Sequence, residues 1–207
     1  NWKLVDSNKK PKMALLASHE SHCLMDLLHR WHSNELHCDI PCIIANHPQM
    51  KQFADWYNIP FHWIDFKVLG KDAAFAQISQ LIKQYDIDLT VLARFMQILP
   101  DALCRELTGR AINIHHSFLP SFAGAKPYQQ AYDRGVKLIG ATCHYVTGDL
   151  DEGPIIEQEV MRISHSDTAQ DMVRKGKNCE KTALANGVRY HLEDRVIIHH
   201  SKTVVFA

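Results

Sequence analysis

Three residues of this chain could act together on a carbonyl group. Asn113 and His115 stand two apart in the apolar run AINIH, residues Ala111 to His115, and Asp151 lies in the later segment DLDEG. Residues two apart on a strand point to the same side, so an amide and an imidazole converge on one spot. The carboxylate can reach them only through the fold. Attack on an acyl carbon puts negative charge on its oxygen and requires a proton to reach the leaving nitrogen. Asn113 can donate a hydrogen bond to that oxygen and a protonated His115 can add positive charge, one such donor being worth about 3 to 4 kcal/mol of barrier. Asp151 can hold His115 protonated and orient or deprotonate a water. Each residue type also has a plain structural use: a packed or surface histidine, an asparagine satisfying backbone groups, an aspartate in a turn. With 14 histidines in the chain no single one is specific, and His29, His32, His199 and His200 read as surface or packing residues.

The elements that must position these residues alternate along the chain. MALLAS (Met13 to Ser18) has the length and apolarity of a buried strand, and Leu24, Leu27, Leu28 and Trp31 follow at helical spacing. IPCIIAN (Ile40 to Asn46) is a second strand, after which Pro48 starts a helical segment with Met50, Phe53, Ala54 and Tyr57 on one face. FHWIDF (Phe61 to Phe66) reads as a third strand. Asp72 then caps a helix that buries Phe75, Ile78, Leu81, Ile82 and Tyr85. DLTVLA (Asp88 to Ala93) reads as a central strand and AINIH as the next, followed by a helix from Pro127 to about Gly135. LIGATCHYV and PIIEQEV are β-rich runs joined by the loop TGDLDEG, which would aim Asp151 back at the sheet. A helix through Met172 to Tyr190 and short strands in VIIHH and TVVFA complete the chain. The pattern predicts an α/β, Rossmann-like, three-layer fold with a mostly parallel central sheet flanked by helices. In such a sheet ligands collect beyond the carboxyl ends of the strands, where His115 lies.

Composition narrows the partners. Of 207 residues, 23 are Lys or Arg and 23 Asp or Glu, so no broad field of one sign attracts nucleic acid or an anionic membrane. The expected partner is a small molecule or another protein. No apolar stretch approaches membrane-spanning length, and no signal-peptide pattern opens the chain, so a cytoplasmic protein is expected. Six cysteines, at 23, 38, 42, 104, 143 and 179, are read as reduced and buried. Cys38 and Cys42 with His37 and His47 match no zinc spacing, and no metal is expected. The chain begins at Asn1 rather than a methionine and is expected to be trimmed; residues 1–12 read as a leader or linker remnant and 13–207 as one catalytic domain.

AINIHHSFLPSF (Ala111 to Phe122), followed by Asp151 in DLDEGPIIEQE, resembles the signature of the folate-dependent formyltransferases, and the likeness extends over nearly the whole chain from about Pro11. It implies the formyltransferase fold, a folate substrate rather than a bound cofactor, and Asn113, His115 and Asp151 as the catalytic trio. ARFMQIL (Ala93 to Leu99) is similar to the family stretch whose backbone meets the pterin ring. That resemblance places Met96, Gln97, Ile98 and Leu99 at the folate pocket, with Thr147, Gly148 and Asp149 closing its other side; Arg94 and Lys126 become contacts for the folate's glutamate tail or the pocket mouth. From the residues alone, Met96, Ile98 and Leu99 read as ordinary core.

Three departures favour the deformylase branch. The loop after the first strand, SHESHC (Ser18 to Cys23), has no glycine to let backbone amides cradle a phosphate, and it carries Glu20. GAKPYQQAYDRGVKLIGATCHYVTGDLDEGPII (Gly124 to Ile156) resembles the deformylase pattern, and no basic tRNA-binding domain follows. The resemblance then implies hydrolysis of 10-formyltetrahydrofolate, a role in one-carbon metabolism and purine biosynthesis, and a homo-oligomer. Deformylases of the family usually carry an N-terminal regulatory ACT domain, so the short leader predicts either trimming or a lost regulator. The alternatives are formyl transfer to an amine such as glycinamide ribonucleotide, and a folate-binding module without chemistry.

Overall fold

The computed structural model describes residues 9–120 and 127–206. Strand β1 (Lys12–Ala17) leads into helix α1 (His22–His32), and β2 (Asp39–Ala45) into a 3-10 turn and the short α2 (Lys51–Trp56). After β3 (Phe61–Trp63) come α3 (Phe66–Leu69), α4 (Lys71–Gln84), β4 (Leu89–Leu92), α5 (Asp101–Glu106) and β5 (Ala111–His115). The remainder is α6 (Pro127–Arg134), β6 (Leu138–Tyr145), β7 (Ile155–Arg162), α7 (Ala169–Leu192) and the strands β8 (Val196–His199) and β9 (Lys202–Val205).

Seven strands form one sheet in the order β3-β2-β1-β4-β5-β6-β7. The pairs from β3 through β5 are parallel, and β6 and β7 add an antiparallel edge. The chain winds outward from β1 to β3, then returns to place β4 on the other side of β1. The crevice opens at that reversal. Alternate residues of the strands feed two cores: Leu15, Val91 and Ile112 pack with α1 and α7 through Leu24, Leu28, Leu184 and Val188. Leu16, Ile44 and Leu92 pack with α4 and α5 through Ile78, Ile82 and Leu103. The predicted three-layer α/β fold is therefore present, and none of its described helices is long and apolar enough to cross a membrane.

Local readings changed at three places. Asp72 lies in the first turn of α4 rather than capping it; the cap is Gly70, at φ 76°, and Asp72 instead sets its charge against the positive helix end. The run FHWIDF is strand only through Trp63, because the Asp65 side chain accepts from the Lys67 and Val68 amides and starts α3 at Phe66. Helix α5 carried no periodic signal in six residues; Pro100 and Asp101 open it. All six cysteines are free and buried, so Cys38 and Cys42 are core residues, as expected.

Helix α7 is the longest and is fixed at its start by a reciprocal cap. The Thr168 hydroxyl oxygen accepts from the Asp171 amide while the Asp171 carboxylate accepts from the Thr168 amide. Thr168→Ala should lower stability by about 1 kcal/mol, read as a shift of the urea midpoint at constant slope.

Candidate active site

Asn113 and His115 occupy the end of β5 with side chains on one face, as strand geometry requires. The antiparallel register sets His144 opposite Asn113 and Thr142 opposite His115, so these side chains share that face. The Asn113 side-chain nitrogen lies 3.2 Å from His144 Nε2. His144 Nδ1 is 2.9 Å from the Tyr145 carbonyl oxygen and must donate to it, which fixes the ring with Nε2 turned toward Asn113. Thr142 donates to the Ser117 carbonyl at 2.9 Å and accepts from the Leu119 amide at 3.0 Å, fixing the chain as it leaves β5.

Asp151 reaches the pair from the loop between β6 and β7. Its Oδ2 is 3.1 Å from His115 Nδ1, and its Oδ1 is 3.6 Å from His144 Nε2. The second distance is too long for a normal hydrogen bond and acts through charge alone. Two local features aim the carboxylate. Asp151 itself adopts φ 58°, a left-handed conformation that aspartate tolerates better than most residues. Gly153 then passes so close to β6 that a Cβ there would sit 1.7 Å from the Tyr145 carbonyl oxygen. Only glycine permits that approach.

Burial pushes the Asp151 carboxyl up, but the hydrogen bond from His115 and the nearness of His144 outweigh it and hold the group well below the usual carboxylate range. Asp151 is thus ionised at neutral pH. His115 is buried, and with Nδ1 facing the carboxylate its Nε2 has no partner among the described residues. A buried ring nitrogen without a partner is costly unless a ligand supplies one. His116 is a different case: burial, then the charges of Arg94 and His115, push it down to about 4, so it is neutral and a poor proton donor near pH 7.

These groups face a cavity of about 340 Å³. Its other walls are the segment 94–99 and the loop Thr147 to Asp151, so Arg94, Met96, Gln97, Ile98, Leu99, Thr147, Gly148 and Asp149 all border it. Met96 and Ile98 are more than half exposed, at 57% and 64%, which rules out the reading of them as core; Leu99 is buried. The Met96 amide donates to Ser18 Oγ at 2.9 Å, tying this wall to the end of β1 and removing that amide from ligand binding. Arg94 borders the cavity, yet its guanidinium pairs with buried Glu180 at 3.3 Å rather than reaching for solvent. Lys126 lies outside the described residues.

Sequence reasoning missed His144, Glu180, His22 and Ser18. Thr142 and His144 were detectable as polar residues on one side of an otherwise apolar strand. Glu180 shares a helical stripe with Gly176, Ala183 and Gly187, all buried, and a carboxylate on such a stripe is a signal in itself. His22, Cys23 and Glu180 place ligand-type atoms within 4.8 Å of one another. His22 Nε2 and Glu180 Oε2 are however 2.7 Å apart, a direct hydrogen bond, and Arg94 brings positive charge to the same carboxylate. That hydrogen bond and the Arg94 charge on the same carboxylate disfavour a cation.

A model of the family described as formyl transferase matches residues 11–188. The chain belongs to the formyl transferase family. Within it, the chain is 50% identical over 206 residues to a formyltetrahydrofolate deformylase of a Synechocystis species, covering 100% of this chain and 72% of that one. The crystal structure of a formyltetrahydrofolate deformylase from Pseudomonas syringae pv. tomato superposes with a TM-score of 0.97 at 57% identity, over 100% of this chain and 70% of that chain. A glycinamide ribonucleotide transformylase from Symbiobacterium toebii shares the fold at a TM-score of 0.90 and 25% identity, over 96% and 95% of the two chains.

The low carboxyl of Asp151 has a stability consequence. A carboxylate whose folded pKa lies below its unfolded value of 3.8 contributes stability above that value and loses it as pH falls through the folded one. The stability gap between wild type and Asp151→Asn should therefore be constant above pH ~5 and shrink in acid. Denaturation midpoints across pH measure it, and a gap that widens on acidification contradicts the ionised assignment.

Proposed function

We propose that this chain hydrolyses 10-formyltetrahydrofolate to tetrahydrofolate and formate. The observation that carries the reading is the Asp151 carboxylate set against His115, whose second ring nitrogen has no partner among the described residues and lies at a cavity of ligand size. The names of the relatives at 50% and 57% identity support it independently.

In this reading Met96, Gln97, Ile98 and Leu99 seat the folate ring and Thr147, Gly148 and Asp149 close over it, with Arg94 at the border. Water, oriented and deprotonated by Asp151 with His115, attacks the formyl carbon. Asn113 and His115 stabilise the oxyanion as the carbonyl bond opens. The C–N bond then breaks, N10 leaves carrying the proton passed through His115, and formate remains. The route runs on side chains and water and draws on no metal or bound cofactor. Resemblance to the family supports placing the activity in cytoplasmic one-carbon metabolism, serving purine biosynthesis, in a homo-oligomer.

Purified protein should release formate from 10-formyltetrahydrofolate without any added amine. Asn113→Ala should lower kcat by about 100- to 1000-fold, and Asp151→Ala by at least as much. Turnover that requires glycinamide ribonucleotide would move the assignment to formyl transfer, and equal rates in all three proteins would remove the trio from the chemistry.

A further inference from the structure

Behind Arg94 and His116, which border the active-site cavity, lies a second cavity of about 500 Å³. Glu180 of α7 forms part of its wall and is 1% exposed. Three other elements converge on this one carboxylate. The Tyr128 hydroxyl of α6 donates at 2.7 Å, His22 Nε2 of α1 lies at 2.7 Å, and Arg94 Nε, just after β4, lies at 3.3 Å. Helix α7 is shaped for this meeting: a Cβ at Gly176, one turn before Glu180, would sit 2.1 Å from the Tyr128 ring and hydroxyl. Burial raises the carboxyl, but the His22 hydrogen bond and the Arg94 charge outweigh it, so Glu180 is ionised.

Arg94 in turn depends on Glu180. Its side chain is 12% exposed, and among the described residues Nε and Nη1 are buried without a hydrogen-bond partner and its only ion pair, through charge at 3.3 Å, is with Glu180. Its backbone is held at φ 64°, a conformation that a residue with a Cβ resists unless its surroundings enforce it. The next residues, Phe95 to Leu99, form one wall of the active-site cavity.

We propose that Glu180 is a positioning residue for the substrate: by anchoring the Arg94 guanidinium it holds that residue's left-handed backbone, and with it the Phe95 to Leu99 wall. A buried guanidinium that loses its counter-charge does not stay buried. As it leaves, the backbone relaxes to the right-handed region and the wall shifts, weakening substrate binding while the catalytic trio on β5 and the β6–β7 loop keeps its geometry.

The test combines Glu180→Gln, which removes charge at constant shape, with Arg94→Gly, which removes the guanidinium and makes positive φ unstrained. Amide hydrogen exchange across residues 95–99 needs no assumption about activity; KM and kcat with 10-formyltetrahydrofolate rest on the proposed hydrolysis. Glu180→Gln should speed exchange across that segment and raise KM on the order of tenfold, with kcat little changed. In the Arg94→Gly background the same change at 180 should add nothing to either readout. If Glu180→Gln alone fails to fold but the double variant folds, the requirement for the carboxylate came through Arg94, as proposed. Equal effects in both backgrounds, unaltered exchange at 95–99 in Glu180→Gln, a loss confined to kcat, or unfolding of both variants would overturn the proposal. Absence of hydrolysis in wild type bears on the proposed function alone, and the exchange data then decide the role of Glu180.

Discussion

An ionised carboxylate taken out of water must be met by donors and positive charge, because the interior does not solvate it. This fold meets two of them, on either side of the wall that Arg94 and His116 share between two cavities. Asp151 is met by His115 and His144, and Glu180 by Tyr128, His22 and Arg94. Apart from His144, on the strand that leads into the Asp151 loop, the donors come from elements distant in sequence, so the charge can be buried only when those elements are in place. The two carboxylates thereby tie α1, α6 and α7, the end of β4, and the β5–β6 pair to one arrangement.

The antiparallel turn of the sheet after β5 makes the first of these arrangements. A sheet parallel throughout would carry the chain from His115 over a face and away from the crevice. Here β6 returns directly alongside β5, so His144 and Thr142 fall opposite Asn113 and His115, and the loop after β6 comes back to the end of β5. Asp151 rides on that loop. The reversal of strand direction and the convergence of the trio are one structural event.

Much of this was legible in the sequence because buried parallel strands are apolar along their whole length, as MALLAS, IPCIIAN and DLTVLA are. Asn113 and His115 were legible because two residues on one strand need no long-range information. Asp151 was readable as a candidate in a loop aimed back at the sheet, but only the family resemblance made it specific, because its meeting with His115 depends on the fold. His144 was lost because register is not written in either strand alone; it depends on how two strands align. The α4 cap was misread because Gly70 and Asp72 are both plausible starts and the choice fell to the turn from α3, which required positive φ. Glu180 was hidden differently. Its stripe on α7 was readable, but a buried glutamate becomes interpretable only when His22, Arg94 and Tyr128 arrive from elsewhere.

Backbone strain in the crevice follows the same logic. Arg94 and Asp151, at φ 64° and 58°, are left-handed residues bordering opposite sides of one cavity. Neither is a glycine, although glycine would adopt either conformation freely. What glycine lacks is the charged side chain, and each side chain here makes an ion contact with a buried partner: Arg94 with Glu180, Asp151 with His115. Charge pairing therefore offsets the local backbone cost; the Arg94 wall is fixed from behind by Glu180, and the Asp151 wall by its contact with His115 at the cavity itself. A pocket braced in that way keeps its shape before a ligand arrives, so less of the binding energy is consumed in ordering it.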